Sequence, residues 1–298
     1  MIQIIKKLMA AMLLTALVAF HAHAEDAAPD FTQLLAFGRL ANVAYLDEDA
    51  INKELKLQDF QLVKRANVPG YAVTWFLAVN EAEKTQLIVV RGTDNAENAF
   101  VDVALQLMPD EKLGIKLHQG FMQSASNVYQ QVLPLLHKDY QIITIGHSLG
   151  GAIANILAMY LDVDKYNVEK VVTYGQPKVT NVSGTRKYAH LDVTRVVTPK
   201  DVVPLVPPLD PVSMMNMMSL DLYWHQGKEI LLLDTNEYAV LEGRKSMMRA
   251  ARFMETVPDE KNVQHHMMSE YLRRLGNKAA GAKQVPYNTE FNLFGSSR

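Results

Sequence analysis

Cysteine is absent from all 298 residues, which removes disulfides, thiolate metal sites and thiol redox chemistry together. A lipid-modified lipoprotein is excluded for the same reason. Charge of one sign is also lacking: 30 Lys and Arg against 32 Asp and Glu leave a net −2. The chain therefore has no basic footprint, and nucleic acid is not expected as a partner. Internal repeats and low-complexity runs are missing, and no stretch after the first twenty residues is long and apolar enough to span a bilayer. What the chain does have is apolar side chain, 49% of its residues, enough to bury a large core.

The N-terminus reads as a targeting segment. Lys6 and Lys7 supply positive charge, and Leu8 to Phe20 is apolar apart from Thr15. Ala22-His23-Ala24 then gives the small-x-small pattern of a cleavage site. The run is shorter than the ~20 residues of a membrane span. Residues 1–24 are expected to be a signal peptide, with an uncleaved anchor as the alternative. The mature chain, 25–298, is expected to be one domain working outside the cytoplasm, in a periplasm or the extracellular medium.

The stretch from Tyr140 to Gly151 organises the rest. Ile142, Ile143 and Ile145 form a β-branched run suited to a buried strand. Ala152, Ile153, Ile156, Leu157, Tyr160 and Leu161 recur at helical spacing behind it. Between them Gly146, Ser148 and Gly150 make a G-x-S-x-G pattern. A serine projecting its oxygen from a sharp strand-to-helix turn needs small neighbours two residues away on each side. The helix that follows directs free N–H groups and a partial positive charge to the same spot. The pattern alone arises by chance in roughly one chain in ten of this length. Its strand-and-helix context makes it a serine nucleophile.

Other strands are expected at Gln61–Lys64, Tyr71–Val79, Thr85–Arg91, Val168–Tyr174, Val193–Val197 and Glu229–Asp234. Helices are expected at Met122–Leu136, Arg244–Val257 and Val263–Leu275. Such alternation indicates an α/β fold with a mostly parallel central sheet flanked by helices. Working residues then sit on loops at the carboxyl ends of strands. Asp201 falls on such a loop and follows Ser148 in chain order, as an acid partner should. An oxyanion hole takes one N–H from the residue after the nucleophile, Leu149, and another from a loop leaving an earlier strand. Thr93 stands on a loop of that kind, although Gly92-Thr93-Asp94 also reads as a plain turn. Ala96 to Met108 is a short amphipathic stretch, readable as a flap or as a surface helix.

A nucleophilic serine also needs a base. Of the nine histidines, His21 and His23 lie in the targeting segment, while His118, His137 and His190 precede Asp201. His147 adjoins the serine, but its side chain is expected to leave the turn in another direction. His225 opens a strand rather than following one, which suits a structural role. His265 and His266 remain, and spacing does not choose between them.

These stretches resemble the class 3 lipases, relatives of the fungal triacylglycerol lipases within the α/β-hydrolase superfamily. The resemblance rests on LANVAY (40 to 45), LIVVRGT (87 to 93), HQGF (118 to 121), IGHSLGGA (145 to 152), TYGQPKV (173 to 179), RVVTPKDVVPLVPP (195 to 208), HQGKE (225 to 229) and HHMMSEY (265 to 271). It implies Ser148 as nucleophile, Asp201 as acid, and Thr93 with Leu149 as oxyanion hole. The family's histidine motif reads Asp-His-Ser-Met, two residues, then Tyr. Aligning on Tyr271 puts the base at His266, with His265, in the place of the usual aspartate, as the alternative base. The segment 94–109 matches the family's helical lid.

The resulting expectation is a lipase acting on triacylglycerol through an acyl-enzyme, with no metal or organic cofactor. Alternatives are a phospholipase, a short-chain carboxylesterase or an acyltransferase. A more distant one is a non-catalytic lipid- or membrane-binding protein on a hydrolase scaffold. The expected partner is a lipid ester, with transient contact at a lipid interface; the sequence is silent on oligomeric state. Met214, Met215, Met217 and Met218 cluster, with Met247-Met248 and Met267-Met268 elsewhere. Thioether clusters can bind Cu(I), but methionine more often lines irregular apolar surfaces. The helix at Arg244, with Lys245, Arg249 and Arg252 beside Met247 and Met248, reads as an ordinary surface helix or as a membrane-touching one.

Overall fold

Runs of β-branched residues separated by amphipathic helices build a layered α/β arrangement, seen in a computed structural model that describes residues 28–92, 106–207, 221–251 and 260–287. The chain enters with helices α1 (Phe31–Val43) and α2 (Glu48–Lys56). Strands β1 (Gln61–Asn67), β2 (Thr74–Asn80) and β3 (Thr85–Arg91) then form an antiparallel meander. From β3 the sheet turns parallel through β6 (Gln141–His147), β7 (Asn167–Tyr174), β9 (Val193–Val197) and β11 (Lys228–Leu232). It ends with β12 (Glu237–Leu241), antiparallel to β11, and the short β13 (Lys283–Gln284). The nine-stranded order is β1-β2-β3-β6-β7-β9-β11-β12-β13.

Period-two alternation divides the core between the two faces of this sheet. Ile88 and Val90 face α3 (Gln119–Val132) and α4 (Leu149–Val163), packing with Val128, Ile153 and Ile156. Leu87 and Val89 face the opposite side with Phe37, Leu40, Tyr271 and Leu275. Those last two stand on α8 (Met268–Ala279), which follows α7 (Glu260–His266). The mostly parallel sheet is as expected. Beneath its far end Glu229 is fully buried between Arg195, at 3.2 Å, and Arg249, with Ser246 Oγ donating at 2.6 Å. Burial pushes the Glu229 carboxyl up, but the two guanidiniums outweigh it and hold it below the usual range.

Several boundaries differ from expectation. A second sheet, β10 (Tyr223–Trp224), β8 (Thr180–Asn181), β5 (Ile115–His118) and β4 (Leu107–Asp110), claims Leu107 and Met108, which had been assigned to the amphipathic flap. The strand β12 was not anticipated, nor was the helix α2. Helix α6 (Gly243–Ala251) starts as expected, yet Arg249 is buried against Glu229 instead of facing a membrane. Met247 is also buried, accepting the His225 N–H at 3.4 Å. The single helix expected over 263–275 is two, broken where Met267 takes an extended ψ of 138°. The targeting segment, Thr93, most of the lid segment and the methionines at 214–218 lie outside the described residues.

His118 caps α3, its Nδ1 accepting the Phe121 N–H, and stacks on the Phe121 ring at 3.9 Å. Burial pushes its pKa down to about 4. An unfolded histidine titrates near 6.5, so between these values the unfolded chain binds the extra proton. Stability should therefore fall as pH drops from about 6.5 towards 4, with His118 contributing on the order of 3 kcal/mol. His147 and His225, also lowered chiefly by burial, act in the same direction. The gap between urea midpoints at pH 7.5 and 5.0 should narrow in His118→Asn, which keeps a capping oxygen without the titration. Identical pH slopes in variant and wild type would refute this.

Candidate active site

Ser148 sits where β6 passes into α4, with φ of 58° and ψ of −130°, a left-handed backbone that a side chain rarely adopts. The flanking glycines are required by contact. A Cβ on Gly146 would lie 2.2 Å from the Gly150 carbonyl oxygen, and one on Gly150 would lie 2.1 Å from that of Val90. Helix α4 thus docks directly on β3 and β6, aiming its first turn at the serine. The Gly151 N–H donates to Ser148 O at 3.0 Å. The preceding N–H groups, of Leu149 and Gly150, have no intrahelical acceptor and form the start of an anion-stabilising cradle.

His266 arrives from the end of α7. Its Nε2 lies 2.8 Å from Ser148 Oγ and its Nδ1 2.8 Å from Asp201 Oδ2. Neither His266 nor Asp201 exposes side-chain surface, and Ser148 is 3% exposed. An Nδ1–H donated to the carboxylate leaves Nε2 as the acceptor for the serine proton, the tautomer a general base requires. Asp201 is fixed from two other directions. The Val203 N–H donates to its Oδ1 at 2.8 Å, and Tyr271 O–H donates to Oδ2. Burial and the Asp201 charge push the Tyr271 phenol well above its ordinary value, so it remains a donor.

The histidine pair is thus resolved in space. His265 is half-buried, and its carbonyl accepts from Thr198 Oγ1 at 2.8 Å. That bond ties the base-bearing segment to the acid-bearing loop.

Two contributors escaped sequence reasoning. The first is His147, whose ring lies 4.6 Å from that of His266 instead of leaving the site. Its Nε2 lies 2.8 Å from the His266 carbonyl oxygen and its Nδ1 2.8 Å from Tyr45 Oη. A carbonyl only accepts, so Nε2 carries the proton. Burial and the neighbouring His266 keep the ring neutral, so Nδ1 accepts from the tyrosine. His147 therefore holds the backbone of His266 in place. The second is Gly175, at φ 59°, where an added Cβ would lie 2.7 Å from Asp201 Oδ2 and 2.9 Å from the His266 ring. Both residues fall inside the quoted motifs, but nothing local marks them as neighbours of a residue 90 to 120 positions away. Among the described residues, no cluster of three His, Asp or Glu side chains could hold a metal ion.

Residues 87–210 match the family model described as Lipase (class 3). A lipase from Rhizomucor miehei is 28% identical over 172 residues, covering 51% of this chain and 45% of that one. A lipase from Rhizopus niveus is 30% identical over 146 residues, covering 43% and 36%. The matches thus span less than half the length of these curated relatives. The crystal structure of a lipase from Rhizopus microsporus var. chinensis superposes with a TM-score of 0.59 at 25% identity, covering 68% of this chain and 74% of that one.

Gly175→Ala should push Asp201 and His266 apart and strain the backbone. A displacement of about 1 Å costs on the order of 10²-fold in rate. Labelling of Ser148 by a fluorophosphonate should slow by about that factor while circular dichroism stays native. Labelling at the wild-type rate would show that Gly175 does not set this geometry.

Proposed function

We propose that this chain, which belongs to the class 3 lipase family, hydrolyses carboxylic esters of lipids through a covalent acyl-enzyme. The observation that carries the reading is the buried line Ser148 Oγ, His266 Nε2, His266 Nδ1, Asp201 Oδ2, each contact 2.8 Å. Ser148 attacks the ester carbonyl as His266 takes its proton, and Asp201 orients and stabilises the imidazolium. The Leu149 N–H faces the developing oxyanion, and Thr93 provides the second donor by its place in the LIVVRGT motif. His266 then protonates the departing alcohol. Water, activated by the same histidine, releases the fatty acid. The chemistry needs no metal or organic cofactor.

Triacylglycerol is the substrate the family resemblance favours, and a phospholipid presents the same acyl ester. The two differ only at the third glycerol position, which the triad does not touch. Contact with a lipid interface would bring either substrate to Ser148.

Ser148→Ala should cut turnover of an emulsified ester by about 10⁴–10⁶-fold. His266→Ala should cost about as much, and His265→Ala less than about tenfold. Near-full activity in Ser148→Ala would sink the assignment, and the reverse order of the two histidine variants would move the base to His265.

Residues 1–24 serve, on this reading, as a leader that exports residues 25–298 as one catalytic domain. The support is the pairing of Lys6 and Lys7 with the apolar run and Ala22-His23-Ala24. Among the described residues, no helix is long and apolar enough to cross a membrane. Intact-mass analysis of protein recovered outside the cytoplasm should give an N-terminus at Glu25. Recovery of the chain with Met1 to Ala24 attached would refute cleavage.

A further inference from the structure

Four elements meet at one phenol beside the triad. Tyr45 lies two residues past α1, half-buried, with its Oη 2.8 Å from Nδ1 of His147, the last residue of β6. The other ring nitrogen, Nε2, lies 2.8 Å from the carbonyl oxygen of His266, the last residue of α7. Tyr45 Oη, the His147 ring and the His266 backbone thus form one chain. It ends on the residue that carries the base and passes through the residue before the nucleophile.

The sense of each bond follows from the atoms. A carbonyl oxygen only accepts, so His147 Nε2–H donates to it. A neutral imidazole carries one proton, so Nδ1 is an acceptor and the phenol O–H donates to it. Burial, with the His266 ring 4.6 Å away, keeps His147 neutral. A proton on Nδ1 instead would turn the Nε2 lone pair on the His266 carbonyl, two buried acceptors face to face. The Tyr45 hydroxyl thus favours the one tautomer that can hold His266.

Both ends of the chain are placed for this. The Tyr45 N–H donates to the Asn42 carbonyl at 3.2 Å, which closes the turn after α1. A Cβ on Gly92, the residue after β3, would lie 3.0 Å from Tyr45 Oη, 2.9 Å from the His147 carbonyl oxygen and 3.1 Å from Ser148 Cβ. The phenol oxygen and the elbow therefore close on the same glycine, and the end of β3 sets where the hydroxyl stands. At the other end, the His266 carbonyl belongs to the last turn of a helix, where carbonyls have no intrahelical donor. His147 supplies a donor from outside the helix. A shift of this backbone carries the imidazole with it, away from Ser148 Oγ and Asp201 Oδ2, each at 2.8 Å.

We propose that Tyr45 is a positioning residue for the reaction at Ser148, acting through His147 on the backbone of His266, a role that rests on the ester-hydrolase reading above. Its hydroxyl fixes the tautomer and the tilt of His147, and the His147 N–H fixes where the base stands. Without the hydroxyl the His147 ring keeps one of its two restraints and turns about it. The role concerns the rate of proton transfer and leaves substrate binding alone.

The test uses the full-length protein and a soluble ester, p-nitrophenyl butyrate. Tyr45→Phe keeps the ring and removes one oxygen. It should lower kcat roughly tenfold, part of the 10²-fold that a 1 Å displacement costs, with KM within about twofold of wild type. His147→Asn keeps a polar group beside Tyr45 but is too short to reach the His266 carbonyl, and it should lower kcat at least as much. Adding Tyr45→Phe to His147→Asn should then change kcat by less than about twofold, because the hydroxyl acts only through His147. His147→Gln, one methylene longer, should recover part of the loss. The wild type carries its own check: 15N NMR of histidine-labelled protein at pH 7 should show His147 neutral with the proton on Nε2, its signal assigned by its disappearance in His147→Asn. A wild-type kcat in Tyr45→Phe overturns the role, as does a rise in KM without a fall in kcat. Full additivity of the two substitutions overturns it too, and so does a proton on Nδ1 of His147. Each of these leaves the hydrolase reading intact, since Ser148 still reacts. A wild type that neither cleaves the ester nor labels with fluorophosphonate fails at the hydrolase reading and takes the positioning role with it.

Discussion

The approach of helix α4 to strands β3 and β6 is the constraint on which the reactive edge depends. Gly150 lies against the Val90 carbonyl and Gly146 against the Gly150 carbonyl, both too close for any side chain. That closeness forces Ser148 into a left-handed backbone and lifts its oxygen clear of the sheet. It also brings the unpaired N–H groups of the first helical turn beside that oxygen. The strain is held by burial: from Gly150 to Leu161 every residue of α4 is enclosed. A less buried helix could relax the turn by shifting along its axis.

Asp201 comes to this point on the loop after β9, and His266 as the last residue of α7. Polar bonds to backbone carbonyls hold them. Buried Lys178 donates to the carbonyls of Leu205 and Pro207, and His225 Nε2 to that of Pro204 at 2.6 Å. Thr198 and Asn262 join the loop around Asp201 to the segment around His266. The cost appears in Lys178, whose pKa is pushed down to about 7 by burial and by the nearby charges of Arg249 and Arg195. Two carbonyl acceptors offset part of it. Asp201 therefore has a defined position before any substrate arrives, which is what an orienting carboxylate must have.

Much of this was legible in the chain because the relevant rules are local. Strands β3, β6 and β9 and the second half of β7 are buried on both faces, so their apolar runs stand out. The chain order of Ser148 and Asp201 followed from the alternation of strand and helix. Strand β12 was less visible because it pairs antiparallel beyond the last parallel strand and alternates only partly. Met108 read as helical because four-residue β4 is stabilised by its partner β5, not by its own pattern. His225 precedes β11, and its Nε2 bonds the Pro204 carbonyl.

The sequence by itself determined the elbow and the serine it carries. Five consecutive residues contain every steric requirement of the turn, so no distant partner is needed to recognise them. The tertiary structure alone decided which histidine meets Ser148. Adjacent positions on a helix point about 100° apart, and the direction that faces inward depends on how α7 is tied to the loop after β9 and where Met267 breaks it from α8. The same holds for His147, Tyr45 and Gly175. Their importance lies in contacts made across 26 to 119 residues of chain, distances over which only the folded packing specifies a neighbour.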